Sequence, residues 1–428
     1  MASFLHTDLG KIYLAVPWTE MIRTFGLKQH KNGPVGNFSP HGKLALMFLK
    51  HYSQLSDRKL IEHLNGNLHW QLFCGIHIPP DAPIRDFKVV SKIRCELANL
   101  LGLRIDALQK EFARHWKPHM SQTNVMLTDA TCYESSVRYP TSQKLLWESV
   151  EWTYGELVAA CRELGIRRPR TKYLKWELRY AGYSRKRKRR IKERRSLTRG
   201  LLRLLEKIIG ELDRINEHHG WQPSIRHQMR REVIDHVLEQ QQTWFYLQEK
   251  PKGIIVSLAK PYLRPIIRGK EVKQVEFGAK VNKIQIDGIN FIEHLSFNAF
   301  NEGTRLRSAI YLSRRLFGRV DAIGADSIYA TNKNRSYCTS QKISTDFKRK
   351  GRAGKHEAQR KQLAKNITRE RATRLEGSFG NEKNHYLLHR IGARTKETEK
   401  LWIFFGIHTA NALKIGRRMA EAEARRAA

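Results

Sequence analysis

Three acids in this sequence have the type, order and surroundings that metal-assisted phosphoryl transfer needs. Asp129 follows a short apolar run within residues 124–133, and Asp326 closes another at 320–325. Glu376 lies seven residues before Lys383, close to two helical turns, so an acid and a cation share one helix face. Two divalent ions about 3.5–4 Å apart activate an attacking oxygen and stabilise a leaving one. Such ions take hard oxygen ligands, which Asp and Glu supply. Other acids compete: Asp321 beside Asp326, Glu370 and Glu382 near Glu376, and Glu276, Asp287 and Glu302 elsewhere. Asp287, before Gly288, is explained as a hairpin-turn residue, and Glu302 as a helix cap. Singly, each of the three leading acids also reads as an ordinary strand-end or helix-surface carboxylate. Their order, local patterns and basic company favour a site.

Open sheets collect their sites at the carboxyl ends of strands, so these acids call for a sheet beneath them. Strand patterns occur at residues 124–133, 275–286, 289–295, 320–325 and 342–347, with Asp287-Gly288 as the turn of a hairpin. A helix with Leu306, Ile310 and Phe317 on its buried face precedes Asp326. A longer one carries Glu376, with Leu375 and Phe379 facing inward, and the segment 402–413 reads as a last helix. This order predicts an α/β (α+β) mixed sheet with flanking helices. Residues 1–120 read as all-helical. Ser39-Pro40 and Ser56 start helices there, and Asp81 with Pro83 opens another. That trio, edged by Arg85, Lys88 and Lys92, is either a DNA-binding head or a plain helical bundle. The expected domains are 1–120, then 121–149 joined to 265–428, with 150–264 as a basic, mainly helical insertion.

The 428 residues carry a formal net charge of +38 and a pI near 10.3. That excess favours a polyanion, and nucleic acid fits it better than a membrane because the cations are spread through folded-looking sequence. Arg185, Lys186, Arg187, Lys188, Arg189 and Arg190 form one run, and Lys348, Arg349, Lys350 and Arg352 a basic loop. The first reads either as a solvated, flexible run or, lying between helices, as one that tracks phosphates, and both are candidate DNA contacts. Trp147, Trp152, Trp244 and Trp402 either stack on bases or pack in cores. Five cysteines without CxxC spacing argue against zinc and disulfides and fit a reducing cytosol. No signal peptide or membrane-spanning run is read from the sequence, so a soluble, intracellular (cytoplasmic) protein is expected.

The segments around the acids resemble bacterial insertion-sequence DDE transposases, whose catalytic domain is ribonuclease-H-like. Thr128-Asp129-Ala130-Thr131 resembles the first-aspartate strand of that family. Gly324-Ala325-Asp326-Ser327-Ile328-Tyr329, followed by Asn332-Lys333-Asn334-Arg335, resembles the second-aspartate block. Leu375-Glu376-Gly377-Ser378-Phe379-Gly380-Asn381-Glu382-Lys383 resembles the glutamate helix. Leu55-Ser56-Asp57-Arg58-Lys59-Leu60, leading to Phe73-Cys74-Gly75, resembles the helical N-terminal domain of one branch. The resemblance implies that Asp129, Asp326 and Glu376 bind two Mg²⁺ ions, with Mn²⁺ as a substitute. It further implies that Lys383 contacts DNA. Many relatives carry an arginine four residues before the glutamate. Here that position is Ala372, and Arg371 and Arg374 flank it as alternatives. Asn334 and Arg335 support the second aspartate or hold DNA. The implied reaction is cleavage at element ends followed by joining of the 3′-OH to target DNA, by a homodimer or larger assembly. A DNA-binding regulator without catalysis, or a nuclease that never joins strands, are the alternatives.

Overall fold

The computed structural model describes residues 2–28, 38–267, 274–354 and 356–427. Two compact units emerge: residues 1–136 with 278–428, and residues 137–277. The inserted unit thus begins earlier and ends later than the expected 150–264. The reason is packing: Leu145, Leu146 and Val150, on the helix Ser142–Glu163, belong to the apolar core of the insertion.

Seven strands are present among the described residues: β1 (Val125–Ser135), β2 (Pro265–Ile267), β3 (Val275–Ile286), β4 (Ile289–Ser296), β5 (Ala322–Ala325), β6 (Ser344–Thr345) and β7 (Arg390–Ile391). In the first unit the spatial order is β4-β3-β1-β5-β6. The β4–β3 and β3–β1 pairs are antiparallel, and the β1–β5 and β5–β6 pairs are parallel. This is the mixed sheet that the order of patterns predicts, with the ribonuclease-H-like character that the resemblance implies. Asp287 (φ 47°) and Gly288 (φ 78°) turn β3 into β4, both in the left-handed conformation that a two-residue hairpin needs. Asp287 does more than turn the chain, because its Oδ2 also takes Ser121 N–H at 2.9 Å and Arg418 Nη1 at 2.9 Å.

Several local expectations shift. The first strand runs on to Ser135, so Asp129 is the fifth of its eleven residues rather than its end. The strand expected at 342–347 shrinks to two residues, since Lys342 sits at φ 54° and breaks extension before it. The helix expected to open at Asp81 begins at Lys88, whose N–H is taken by Asp86 Oδ1 at 2.9 Å. Ser39 and Ser56 cap their helices as predicted, through Gly42 N–H and Lys59 N–H.

The N-terminal helices are built into the first unit rather than standing as a separate head. The long helix Lys396–Ala427 is their common partner. Phe48 meets Phe405 with ring centroids 5.0 Å apart, and His408 stacks on Phe112 at 4.8 Å. Arg94 forms a bidentate pair with Asp57 at 2.8 and 2.9 Å while lying 4.9 Å from the Trp402 ring. The inserted unit is helical, with Leu201, Leu202, Leu205 and Ile208 of the helix Ile191–His219 in its core. Among the described residues, no helix is long and apolar enough to cross a membrane.

Candidate active site

Asp129 reaches its neighbours through strand register. The parallel pairing of β1 and β5 ends at Thr128 opposite Ala325. Asp129 and Asp326 are the next residue on each strand, so they emerge side by side at the carboxyl end of the pair. That is why a mid-strand aspartate still occupies a strand-end site: its neighbour β5 stops there. On the other side Asp129 faces Lys283 of β3.

Burial is the main force on the Asp129 carboxyl. It pushes the group up to about 6, and the negative charges of Glu302 and Asp326 add to the rise. Ala130 N–H and the charge of Arg371 oppose it. Glu302 does not cap a helix. Asn301 does that through Gly303 N–H, while Glu302 pairs with Lys280 at 2.7 Å.

Glu376 arrives on a different device. The helix Glu357–Glu370 lies so close to β5 that a Cβ on Gly324 would come within 2.5 Å of Ile367 Cγ2. Residues Arg371–Glu376 then form a π-helical turn before the helix Gly377–His385 resumes. Leu375 is fully buried against Leu127 and Ile367, with Phe379 packed beside them, as the sequence suggests.

The π turn decides which arginine lies beside the acids. A π turn brings residues five apart into the relation that an α-helix gives residues four apart. Arg371, five before Glu376, therefore stands where the fourth would be expected. Its Nη1 is 4.0 Å from Glu376 Oε1 and 3.9 Å from Asp326 Oδ1. Arg374 points elsewhere, to Glu370 at 2.8 Å and Asp287 at 3.4 Å. Arg371 Nε is buried without a hydrogen bond, 3.9 Å from Asp346 Oδ2. Asp346 was not singled out in the sequence. It sits just past the edge strand β6 and takes Ala325 N–H at 3.2 Å, so it braces the end of β5. Burial raises its carboxyl above the usual range.

Beneath the glutamate helix lies a second feature absent from the sequence reading. Glu382 is fully buried and accepts Lys283 Nζ at 2.6 Å, Asn290 Nδ2 at 2.7 Å and the Tyr133 hydroxyl. These partners come from β1, β3 and β4. Glu382 thus pins the glutamate helix to the sheet face on which Asp129 lies. Lys383 follows it, with its ammonium 5.9 Å from the Tyr133 ring centre. The signal was available: Lys283 and Gln285 continue the odd-numbered positions of Val275, Phe277, Ala279 and Val281, a face that the alternation marks as buried.

The remaining predicted residues scatter. Asn334 is buried and gives its amide to Gly303 and Tyr329 carbonyls at 2.7 and 2.8 Å, so it supports the second-aspartate loop. Arg335 bonds the carbonyls of Ala330 and Lys348. Lys348, Arg349, Lys350 and Arg352 are exposed on their loop. Arg185, Lys186, Arg187, Lys188, Arg189 and Arg190 are exposed in the inserted unit.

Among the described residues, no three His, Cys, Asp or Glu side chains draw together tightly enough to hold a metal ion. The donor chemistry nevertheless fits a hard divalent cation. Asp129 and Asp326 are neighbours, and one guanidinium, that of Arg371, lies 3.9 Å from Asp326 and 4.0 Å from Glu376.

Comparison with known proteins agrees with this frame. Residues 6–96 match a transposase domain (DUF772), and residues 323–409 match a transposase DDE domain. The second match contains Asp326, Glu376 and Lys383. A relative from Rhizobium meliloti, the uncharacterized protein ORF8 in the nfe locus, is 28% identical over 143 residues. The shared stretch is 32% of this chain and 66% of that protein, just under two thirds of its length. No solved structure matches the chain. The helical transposase domain and the DDE domain together support an insertion-sequence DDE transposase.

Proposed function

We propose that this transposase cuts DNA at the ends of its own element and joins the freed ends to target DNA. Asp129, Asp326 and Glu376 are the catalytic acids and hold two Mg²⁺ ions, which Mn²⁺ replaces. The observation that carries this reading is the way strand register and one arginine relate the three acids. Register sets Asp129 beside Asp326, and Arg371 links Asp326 to Glu376.

When bound, the metal pair neutralises phosphate charge and activates the attacking oxygen. The protein supplies position. The three carboxylates accept the cations, Lys383 and Arg371 hold the scissile strand's phosphates, and Glu382 keeps the glutamate helix in register. Water attacks the phosphodiester at the element end, its oxygen bonds to phosphorus, and the 3′-oxygen leaves as a 3′-OH. That hydroxyl attacks a target phosphodiester and displaces a target 3′-oxygen, so one bond forms as one breaks. No nucleotide cofactor or covalent enzyme intermediate is required. The exposed cations at residues 185–190 and 348–352 grip the backbone of double-stranded DNA, and two copies of the chain bring two ends together.

The test is cleavage and strand transfer on the element's end DNA with Mg²⁺, Mn²⁺ or EDTA. Wild type is expected to cut and join with either metal, and Glu376→Gln to bind DNA yet do neither. Cutting without joined products would reduce the enzyme to a nuclease. Binding without cutting in either metal would leave a regulator.

A further inference from the structure

The π turn Arg371–Glu376 answers a packing demand. Ile367, on the helix before it, and Leu375, within it, are buried in one apolar cluster with Leu127 and Ala322. The two lie eight residues apart. That spacing carries an α-helix about 80° past a whole number of turns, so a regular helix would not bury both against one surface. Absorbing one extra residue in a π turn brings them back to within about 20° of one stripe. The cost is local: an expanded turn leaves carbonyls without the amides that an α-helix would supply.

Side chains meet those carbonyls. The Thr373 hydroxyl donates to the Arg369 carbonyl at 2.8 Å, and the Ser378 hydroxyl to the Leu375 carbonyl at 2.6 Å. Both ride on the helix and move with it. Gln285 does not. It sits on β3 opposite Leu127 of β1, is fully buried, and gives its Nε2 to the Arg374 carbonyl at 3.1 Å. The same amide bonds Asn290 Oδ1 at 2.9 Å. Asn290 is fixed in turn by Asn411 on the helix Lys396–Ala427, and it meets Glu382 Oε1 at 2.7 Å. One buried network therefore holds the chain on either side of Glu376, at Arg374 through Gln285 and at Glu382 through Asn290.

On packing grounds a glutamine is an unfavourable choice for this place. Its Oε1 is buried and has no partner among the described residues. A buried acceptor left unmade is destabilising, and an apolar side chain of similar shape would avoid it. What the glutamine adds is a pair of N–H donors, one to the network and one to the turn. Were the turn to close to α-helical register with Leu375 kept in its pocket, Arg371 would swing by about 100°, away from Asp326 and Glu376.

We propose that Gln285 is a positioning residue: it fastens the π turn to the sheet and thereby sets Arg371 beside Asp326 and Glu376. The effect on rate rests on the transposase reading, whereas the hold on the turn does not.

The test uses the full-length protein with Gln285→Met, with deletion of Ala372, and with both. Ala372 is exposed in the turn. Deleting it places Arg371 four residues before Glu376 in an unbroken α-helix, where Gln285 has no turn to hold. Two quantities are read: amide hydrogen exchange without DNA, and single-turnover cleavage of the element's end DNA with Mg²⁺. In Gln285→Met, exchange across residues 371–377 should rise and cleavage should fall on the order of 10-fold, with Arg371→Ala adding less than about 2-fold more. The deletion alone should cut at the wild-type rate. In the double variant slow exchange and wild-type cleavage should return, and Arg371→Ala should again lower cleavage on the order of 10-fold. A merely structural role would not show that restoration, because damage to the core persists in either register. Unchanged exchange in Gln285→Met overturns the proposal, as does a defect that the deletion fails to repair. A Gln285→Met protein that does not fold in either register assigns the residue to the core and overturns it too. If wild type cuts nothing with Mg²⁺ while exchange follows this pattern, the transposase chemistry is lost and Gln285 keeps its hold on the turn.

Discussion

The two units of this chain solve different problems with different interiors. The sheet-bearing unit buries polar and charged groups beneath its candidate acids: Glu382 and Lys283 are both fully buried, and Asn290 and Gln285 lie beside them. The inserted unit has a core rich in leucine and isoleucine and carries a run of exposed cations, Arg185 to Arg190, on its surface. A buried ion pair tolerates little displacement, because each partner is desolvated and depends on the other. Solvated cations act through charge, which falls off gradually and tolerates movement. The sheet unit is thus built for position and the insertion for attraction.

Removing one partner from the buried pair should break the comparison most severely. Glu382→Ala strands Lys283 inside the protein and should cost about 3–5 kcal/mol, read by urea unfolding. A loss under about 1 kcal/mol would mean that the network is dispensable. Next, the choice made by the π turn should appear in rates. Arg371→Ala should lower cleavage on the order of 10-fold or more, the scale of one positioned charged donor, while Arg374→Ala leaves it near wild type. Equal effects would remove the distinction between the two arginines.

The insertion should respond in salt dependence. The triple change of Arg185, Arg187 and Arg189 to Gln should flatten the slope of log K against log salt by about 0.9 for each phosphate that the variant no longer neutralises. Unfolding should not change. An unaltered slope would take this loop out of the DNA footprint.

The smallest effect expected is on acid stability. Burial holds His51 and His408 down to about 3, well below the ordinary value, and both lie in the sheet unit. The folded state therefore favours the neutral rings, and the unfolded chain takes up protons first as pH falls. The stability tied to these rings is complete above about pH 6.5 and is lost as pH drops towards 3. His408→Leu, keeping the apolar packing against Phe112 and Phe404, should flatten the decline in Tm between pH 7 and 4. An identical decline in the variant would show that His408 does not carry it.

Much of the architecture is written locally. Ser39 and Ser56 begin helices because their own side chains meet amides three residues on. Asp287-Gly288 makes a hairpin because both residues accept the left-handed conformation. Asp326 and Leu375 stand where apolar patterning puts them. By itself, then, the sequence determined the order of the main strands and helices, the candidate acids, and the charge excess that favours a polyanion. All of these depend on neighbours within a few residues or on simple totals.

Tertiary structure alone decided the rest. Asp129 lies mid-strand, and only the early stop of β5 turns its position into a strand end. Arg371 rather than Arg374 faces the acids because a π turn shifts the helix by one residue. Helical periodicity cannot reveal that shift, since the packing of Leu375 against Leu127 and Ile367 accompanies it. Asp346 and Glu382 acquire their roles from partners far away in the chain. The limits of the inserted unit follow from which core its first helix joins. In each case the deciding contact is made by residues whose separation along the chain carries no pattern, so only the folded packing brings them together.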